Sequence, residues 1–180
     1  MSQGSAAAQA FLDREAAAAV VTCYATALDA RDWRAYRALF TDEIAIDYGA
    51  IGSLVATVPA DEWTNRCRTL EGFDATAHQL HNVIATIKGD RATVTSIVDA
   101  VHVVGAGDRA LLGDLIGRYT HRLVRRDGWK IAGRRPLGLI RRYSGVRWSP
   151  SSMFIANSWC GSPVSSSMIE TLWPFGVGVK

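Results

Sequence analysis

The stretch Ala77-His78-Gln79-Leu80-His81-Asn82 sets an imidazole at the start of a segment, ATAHQLHNVIATIKGDRATVTSIV, that otherwise reads as a buried β-hairpin. An ionisable ring in such a run needs a reason, and proton transfer supplies one. A histidine held by a carboxylate has one tautomer fixed and its protonated form stabilised, so its other ring nitrogen can remove a proton next to a carbonyl. The oxygen that gathers negative charge then needs a donor, and a departing hydroxyl needs a proton. His78 is the candidate base. The candidates for the other duties are Asp29 and Tyr24 in a predicted first helix and Arg134 in a predicted late strand. Tyr24 and Asp29 are five residues apart, about 140° around a helix axis, so they are expected to flank a pocket without touching.

Each candidate has a plainer alternative. Asp29 read alone is an ordinary helix-end acid, Asp32 is a helix cap, and Tyr24 on an apolar helix face is by default part of the core. Arg134 competes with Arg135, because adjacent strand residues face opposite sides; a bulge near Gly133 would exchange them. His78 and His81 are three apart on a strand, face opposite sides and cannot pair on a metal, so no metal site is expected. His81, His102 and His121 are expected at the surface or an interface. Trp33, Phe40, Tyr48, Trp63 and Phe73 are candidates to line an apolar pocket, against a default of core packing.

The elements that must carry these residues follow from patterning. Ser5 to Ala30 is dominated by alanine and other good helix formers, with Val20, Val21, Tyr24, Ala27 and Leu28 making one apolar face. Asp32 is placed to cap a second helix, Trp33 to Phe40, and the segment from Glu43 to Tyr48 alternates as a short strand would. Pro59 with Asp61 and Glu62 opens a third helix that Gly72 ends. From Thr76 onward the pattern becomes strand-like: Thr76 to Ile87, Ala92 to Val104, Leu111 to Arg125 and Trp129 to Tyr143, joined by Lys88-Gly89-Asp90, a looser turn at residues 105–108, and Arg126-Asp127-Gly128. Short links force antiparallel neighbours. Helices followed by a meander give an α+β fold in which a curved antiparallel sheet wraps the N-terminal helices as a cone.

The chain of 180 residues is long enough for one domain with a single core, expected over residues 1–148. Its net charge of +3 is mild, and the basic run Arg134 to Arg142 is broken by apolar residues and Pro136, which argues against nucleic acid as a partner. Three scattered cysteines, Cys23, Cys67 and Cys160, suggest a reducing compartment. With no signal-peptide pattern and no membrane-spanning stretch, a cytoplasmic location is expected. Residues 149–180 are rich in Ser, Gly and Pro with isolated large apolar side chains; the aromatics favour docking on a pocket mouth or a neighbouring subunit over an unpacked extension.

Three segments together, YATALDARDW (Tyr24 to Trp33), HQLHNVIATIKGDRATV and YTHRLVRRDGWKIAGRR (Tyr119 to Arg135), resemble the SnoaL-like branch of the nuclear transport factor 2-like superfamily. That group includes scytalone dehydratase, bile-acid 7α-dehydratase and hexachlorocyclohexane dehydrochlorinase. The likeness runs from about Arg14 to Gly145. It implies a nuclear transport factor 2-like (cystatin-like) α+β barrel. It also places the family's catalytic aspartate on Asp29, its histidine on His78 with Asn82 four residues later, and its arginine on Arg134. Tyr24 matches the tyrosine of the bile-acid dehydratases, where dehydrochlorinases have a lysine, and so points to loss of water. The resemblance implies a cofactor-independent lyase acting on a small hydrophobic carbonyl compound such as a hydroxysteroid or polyketide. It further implies Asn82 as a pocket residue and a homo-oligomer, a trimer before a dimer. Isomerase or cyclase chemistry, or a non-catalytic subunit like the small subunit of ring-hydroxylating dioxygenases, are the rivals.

Overall fold

A computed structural model describes residues 3–51, 53–105 and 110–145. The expectations for residues 149–180, and for Cys160, lie outside the described residues. The chain opens with helix α1 (Gln3–Asp29), helix α2 (Trp33–Ala38) and strand β1 (Phe40–Asp47). A 3-10 turn at Gly49–Ile51 and strand β2 (Val55–Pro59) follow, then helix α3 (Ala60–Cys67) and a second 3-10 turn, Arg68–Gly72. Four long strands complete it: β3 (Ala75–Lys88), β4 (Arg91–Val104), β5 (Leu111–Arg126) and β6 (Gly128–Gly145).

The six strands form one sheet in the order β2-β1-β6-β5-β4-β3, with β2 and β3 as its edges, so the barrel is not closed. The long meander is antiparallel as expected, but β1 joins β6 in parallel, pairing Phe40 with Ile131 and Ile46 with Arg134. Several boundaries differ from the sequence reading: α3 stops at Cys67, and only a 3-10 turn carries on to Gly72. Phe40 begins β1 instead of ending α2, and β2, absent from that reading, pairs Val55 through Pro59 with Asp47 through Glu43. Its sequence VATVP gives only five residues and ends in proline, too little for alternation to show.

Only the second half of α1 packs. Ala17, Val21, Tyr24, Ala25 and Leu28 are buried at spacings of three and four, whereas residues 4–12 are exposed. The core that α1 covers includes Tyr36, Ile44, Ile46, Trp63, Val94, Leu123 and Ile131. Asp13 anchors the middle of the helix, accepting bonds of 3.1 and 2.8 Å from the two terminal nitrogens of Arg125, whose guanidinium lies 4.2 Å from the Trp129 ring.

Two bulges set which side chains face inward. Between His81 and Ile84 the β3–β4 register gains one residue on β3, and Asn82 there has φ +50. The bulge brings Thr76, His78 and Leu80 onto the same face as Val83, Ala85 and Ile87, which strict alternation would put on the opposite one. The second lies at Ala132: Leu123 pairs with Ile131 and Arg122 with Gly133, so β6 carries one extra residue. Inward positions therefore switch from Trp129 and Ile131 to Arg134 and Pro136, all four buried.

Candidate functional site

The end of α1 presents Asp29. Arg31 takes a left-handed conformation (φ +55), its N–H donating to the Leu28 carbonyl, while the N–H of Asp32 donates to that of Ala27. This is a Schellman stop with an arginine in place of the usual glycine. The Arg31 guanidinium also donates to the Phe73 carbonyl, which ties the helix end to the start of β3. Asp32 then caps α2, accepting from the Ala35 N–H at 2.9 Å, as its position in the sequence predicts.

Asp29 meets β3 three times. Its Oδ1 lies 2.6 Å from His78 Nδ1 and accepts from Thr76 Oγ1 at 3.0 Å, and its Oδ2 accepts from the His78 backbone N–H at 2.6 Å. A carboxylate can only accept, so Nδ1 carries a proton, and in the neutral ring Nε2 holds the lone pair. Burial alone would raise the Asp29 carboxyl. The bonds from the His78 ring and backbone, the charge of His78 and the Thr76 hydroxyl outweigh it and hold the group below the ordinary carboxylate range. The His78 side chain is 7% exposed and that of Asp29 25%.

A second imidazole adjoins the first. His102 on β4 stands edge-on to His78, ring centroids 5.3 Å apart, and the Phe73 ring packs 4.9 Å from His102. Its Nδ1 lies 3.4 Å from the Gly113 carbonyl. Burial, reinforced by His78, pulls this ring down to about 4 against the pull of the Gly113 carbonyl and Asp29, so it stays neutral beside the dyad.

Arg134 occupies the same inward face further along the sheet. It is 5% exposed, donates to the Tyr48 hydroxyl, and lies 4.0 Å from the Tyr119 ring, 4.9 Å from Tyr24 and 5.4 Å from Tyr48. No carboxylate pairs with it among the described residues. Arg135 faces outward and pairs with Asp47 at 3.3 Å, which resolves the choice between the two arginines. Burial pushes the Tyr24, Tyr36 and Tyr48 hydroxyls up, so each remains a donor. His121, directly across from Arg134, is fully buried, and burial together with the Arg134 charge keeps it neutral.

The expected site residues thus separate into two poles. Asp29 with His78 makes one; Tyr24, Tyr48 and Arg134 make the other. Tyr24 and Asp29 lie five residues apart on α1, an axial rise of about 7.5 Å, so both poles sit under the last turns of one helix. Phe73 adjoins the first pole, and Trp63 backs Tyr48 at 5.8 Å. Phe40 packs behind Tyr24, edge to face at 6.3 Å. Trp33 lies on the helical flank, donating to Glu71 at 2.7 Å, and Asn82 is exposed, its contribution being the bulge. Two histidines expected at the surface or an interface, His102 and His121, are buried inside instead. Counting alternate residues from Val98 and Ala100, or from Leu115 and Tyr119, places both inward, and that count is the signal available in the sequence. Among the described residues no three His, Cys, Asp or Glu side chains gather as a metal site.

A family model described as a SnoaL-like domain matches residues 9–135, most of the chain and the whole of both poles. The chain belongs to the SnoaL-like family. Among solved structures, protein Kfla4162 of Kribbella flavida is 27% identical with a TM-score of 0.66, the match covering 74% of this chain and 95% of that one. A protein of Novosphingobium aromaticivorans provisionally named an aromatic ring hydroxylase is 26% identical, with TM-score 0.64 and coverages of 76% and 94%. Another from that organism, described as nuclear transport factor 2-like with a cystatin-like fold, is 22% identical, with TM-score 0.53 and coverages of 74% and 86%. The SnoaL-like chain therefore has the nuclear transport factor 2-like α+β architecture. No curated protein matches it. No helix among the described residues is long and apolar enough to cross a membrane.

Proposed function

We propose that this SnoaL-like protein is a cofactor-independent lyase of the dehydratase type. Its substrate would be a carbonyl-activated polycyclic or alicyclic compound such as a hydroxysteroid or polyketide. The observation that carries the reading is the 2.6 Å contact between His78 Nδ1 and Asp29 Oδ1, made by a histidine on the inward face of the sheet. With Nδ1 committed to Asp29, Nε2 is the base. It takes the proton from the carbon next to the carbonyl; the C–H pair moves toward the carbonyl oxygen, giving an enolate. Collapse of the enolate expels the β-hydroxyl, which leaves as water after receiving a proton from the His78 imidazolium. Asp29 stabilises that imidazolium, and Arg134 with the Tyr24 hydroxyl supplies donors to the enolate oxygen or the leaving group. An isomerase or cyclase would share the first transfer and differ only in where the enolate is reprotonated or attacked.

The test is deuterium exchange at the carbon next to the carbonyl, followed by NMR in D₂O over a panel of hydroxy-ketones. The wild-type protein should catalyse exchange and His78→Ala should not; equal rates from both would defeat the proposal.

The rival reading is a non-catalytic assembly subunit like the small subunit of ring-hydroxylating dioxygenases. Such a subunit would give no exchange with any ketone. Assembly as a homotrimer belongs to the same proposal, through the outer face where Ile97, Val101 and Ile116 are half-buried, and sedimentation equilibrium tests it.

A further inference from the structure

The second pole holds more hydrogen-bonding capacity than the enolate role of Arg134 uses. His121 Nδ1 and Nε2, Ser96 Oγ and Arg134 Nε are all buried, and none finds a hydrogen-bond partner among the described residues. An unmade bond at a buried polar atom costs about 1–3 kcal/mol, so four such atoms on one surface are an expensive arrangement for a core with no use for them. They are also neighbours. His121 pairs directly with Arg134 across β5 and β6, and Ser96 pairs with Tyr119 on the same inward face, one step along from the Val94–His121 pair. Both His121 and Arg134 lie against the same two rings: His121 is 5.3 Å from Tyr24 and 5.8 Å from Tyr119, and Arg134 is 4.9 and 4.0 Å from them.

We infer that Ser96, His121 and Arg134 form an oxyanion-binding pole for the ionised oxygen of a planar ring, a phenolate or a ring enolate, beside the Tyr24 and Tyr119 rings. Three donors are available: the Ser96 hydroxyl, one N–H of the neutral His121 and the Arg134 Nε–H. The guanidinium lacks an acidic partner among the described residues, so a ligand bringing one negative charge neutralises it. Away from water both the charge and the hydrogen bonds are worth more than at a surface. The Tyr24 and Tyr119 rings beside the donors favour a flat ring over an aliphatic carboxylate. Entry requires the packing over this pole to open, because the donor atoms meet no solvent.

In the proposed reaction this pole would fix the oxygen end of the substrate while His78 works at the other end. That placement rests on the proton-transfer reading; the binding itself does not. The probe is 4-nitrophenol, titrated with the full-length protein at a pH where half of it is ionised in water, its absorbance reporting the phenolate. The wild-type protein should bind the phenolate at least about tenfold more tightly than the phenol, the worth of one charge-assisted hydrogen bond. Arg134→Met should abolish the preference, and Ser96→Ala and His121→Phe should each reduce it severalfold. His121→Gln, which keeps a donor, should retain it, as should His78→Ala. Should His121→Phe fail to fold, Ser96→Ala against His121→Gln decides. Equal binding of the two forms, wild-type preference in both Ser96→Ala and His121→Phe, or loss of preference in His78→Ala would each overturn the pole. Phenolate binding without ketone exchange would defeat the lyase reading alone, and exchange without phenolate preference would defeat the pole alone.

Discussion

At the scale of single residues, the His78–Asp29 pair separates chemistry from folding. In the proposed lyase, removing the His78 ring takes away the base on a strand whose ladder to β4 remains, so His78→Ala should lower turnover by about 10²–10⁴-fold, the usual worth of a positioned base, with little change in melting. Asp29→Asn should cost activity and also roughly 1.5–3 kcal/mol of stability, because its carboxylate accepts from a backbone N–H, a ring and a hydroxyl together. Urea unfolding beside a kinetic assay separates the two effects. The pair also has a definite acid limb. Asp29 is held below its ordinary value, so its contribution is whole above that value and is lost as pH falls through the lower, folded one. His102 acts earlier. Its folded value of about 4 lies below the usual 6.5, so between those pH values the unfolded chain binds a proton that the folded chain refuses. Stability should be full above pH 6.5 and fall by roughly 3 kcal/mol on the way to pH 4, and His102→Gln should flatten that slope in urea titrations at several pH values. A slope unchanged by the substitution would show that His102 does not carry it.

At the scale of elements, two extra residues decide what faces inward. The insertion at Ala132 turns Arg134 in and Arg135 out, so Arg134→Met should impair function while Arg135→Met, which loses only an exposed pair with Asp47, should shift stability by less than about 1 kcal/mol. Asn82 holds the other insertion with a positive φ. Asn82→Gly should be tolerated, whereas Asn82→Val should cost about 1–3 kcal/mol, and because Val83, Ala85 and Ile87 depend on the same bulge, the loss should appear as a lower melting temperature. Much of this layer was legible in the sequence. Long alternating strands announced the meander, Asp32 announced the cap of α2, and Gly133 marked where a bulge would fall. The parallel β1–β6 pair was not legible, because partnership between segments some ninety residues apart leaves no periodic trace in either. His102 and His121 were missed for a different reason. Each is a polar residue in an otherwise apolar alternation, and composition favours the surface until the count of alternate residues is carried through the whole strand.

Taken whole, the described residues form a sheet edged by β2 and β3 with a helix laid across its concave side, and its two poles stand on unlike parts of that frame. Arg134 and His121 belong to the interior strands β6 and β5, whereas His78 belongs to the edge strand β3. Amide hydrogen exchange should therefore be slow through β5 and β6 and faster along β3, where each residue has one neighbouring strand instead of two. The first helix behaves as two halves. Residues 4–12 are exposed, and the anchor to the sheet begins at Asp13, so removal of the first eight residues should leave the melting temperature nearly unchanged, while Asp13→Ala should lower it.

The stop at Arg31 has a consequence for the spacing of the chain. Extra length ahead of Asp13 merely pushes a loose end outward. One residue added between Tyr24 and Asp29 would swing the tyrosine a quarter-turn or more away from Arg134, because the helix end is pinned to Phe73 and cannot slide to absorb it. Homologues and engineered variants should vary freely in the overhang and keep a fixed count from Tyr24 to Arg31, a ruler only eight residues long with a proposed site residue at each end of its working span.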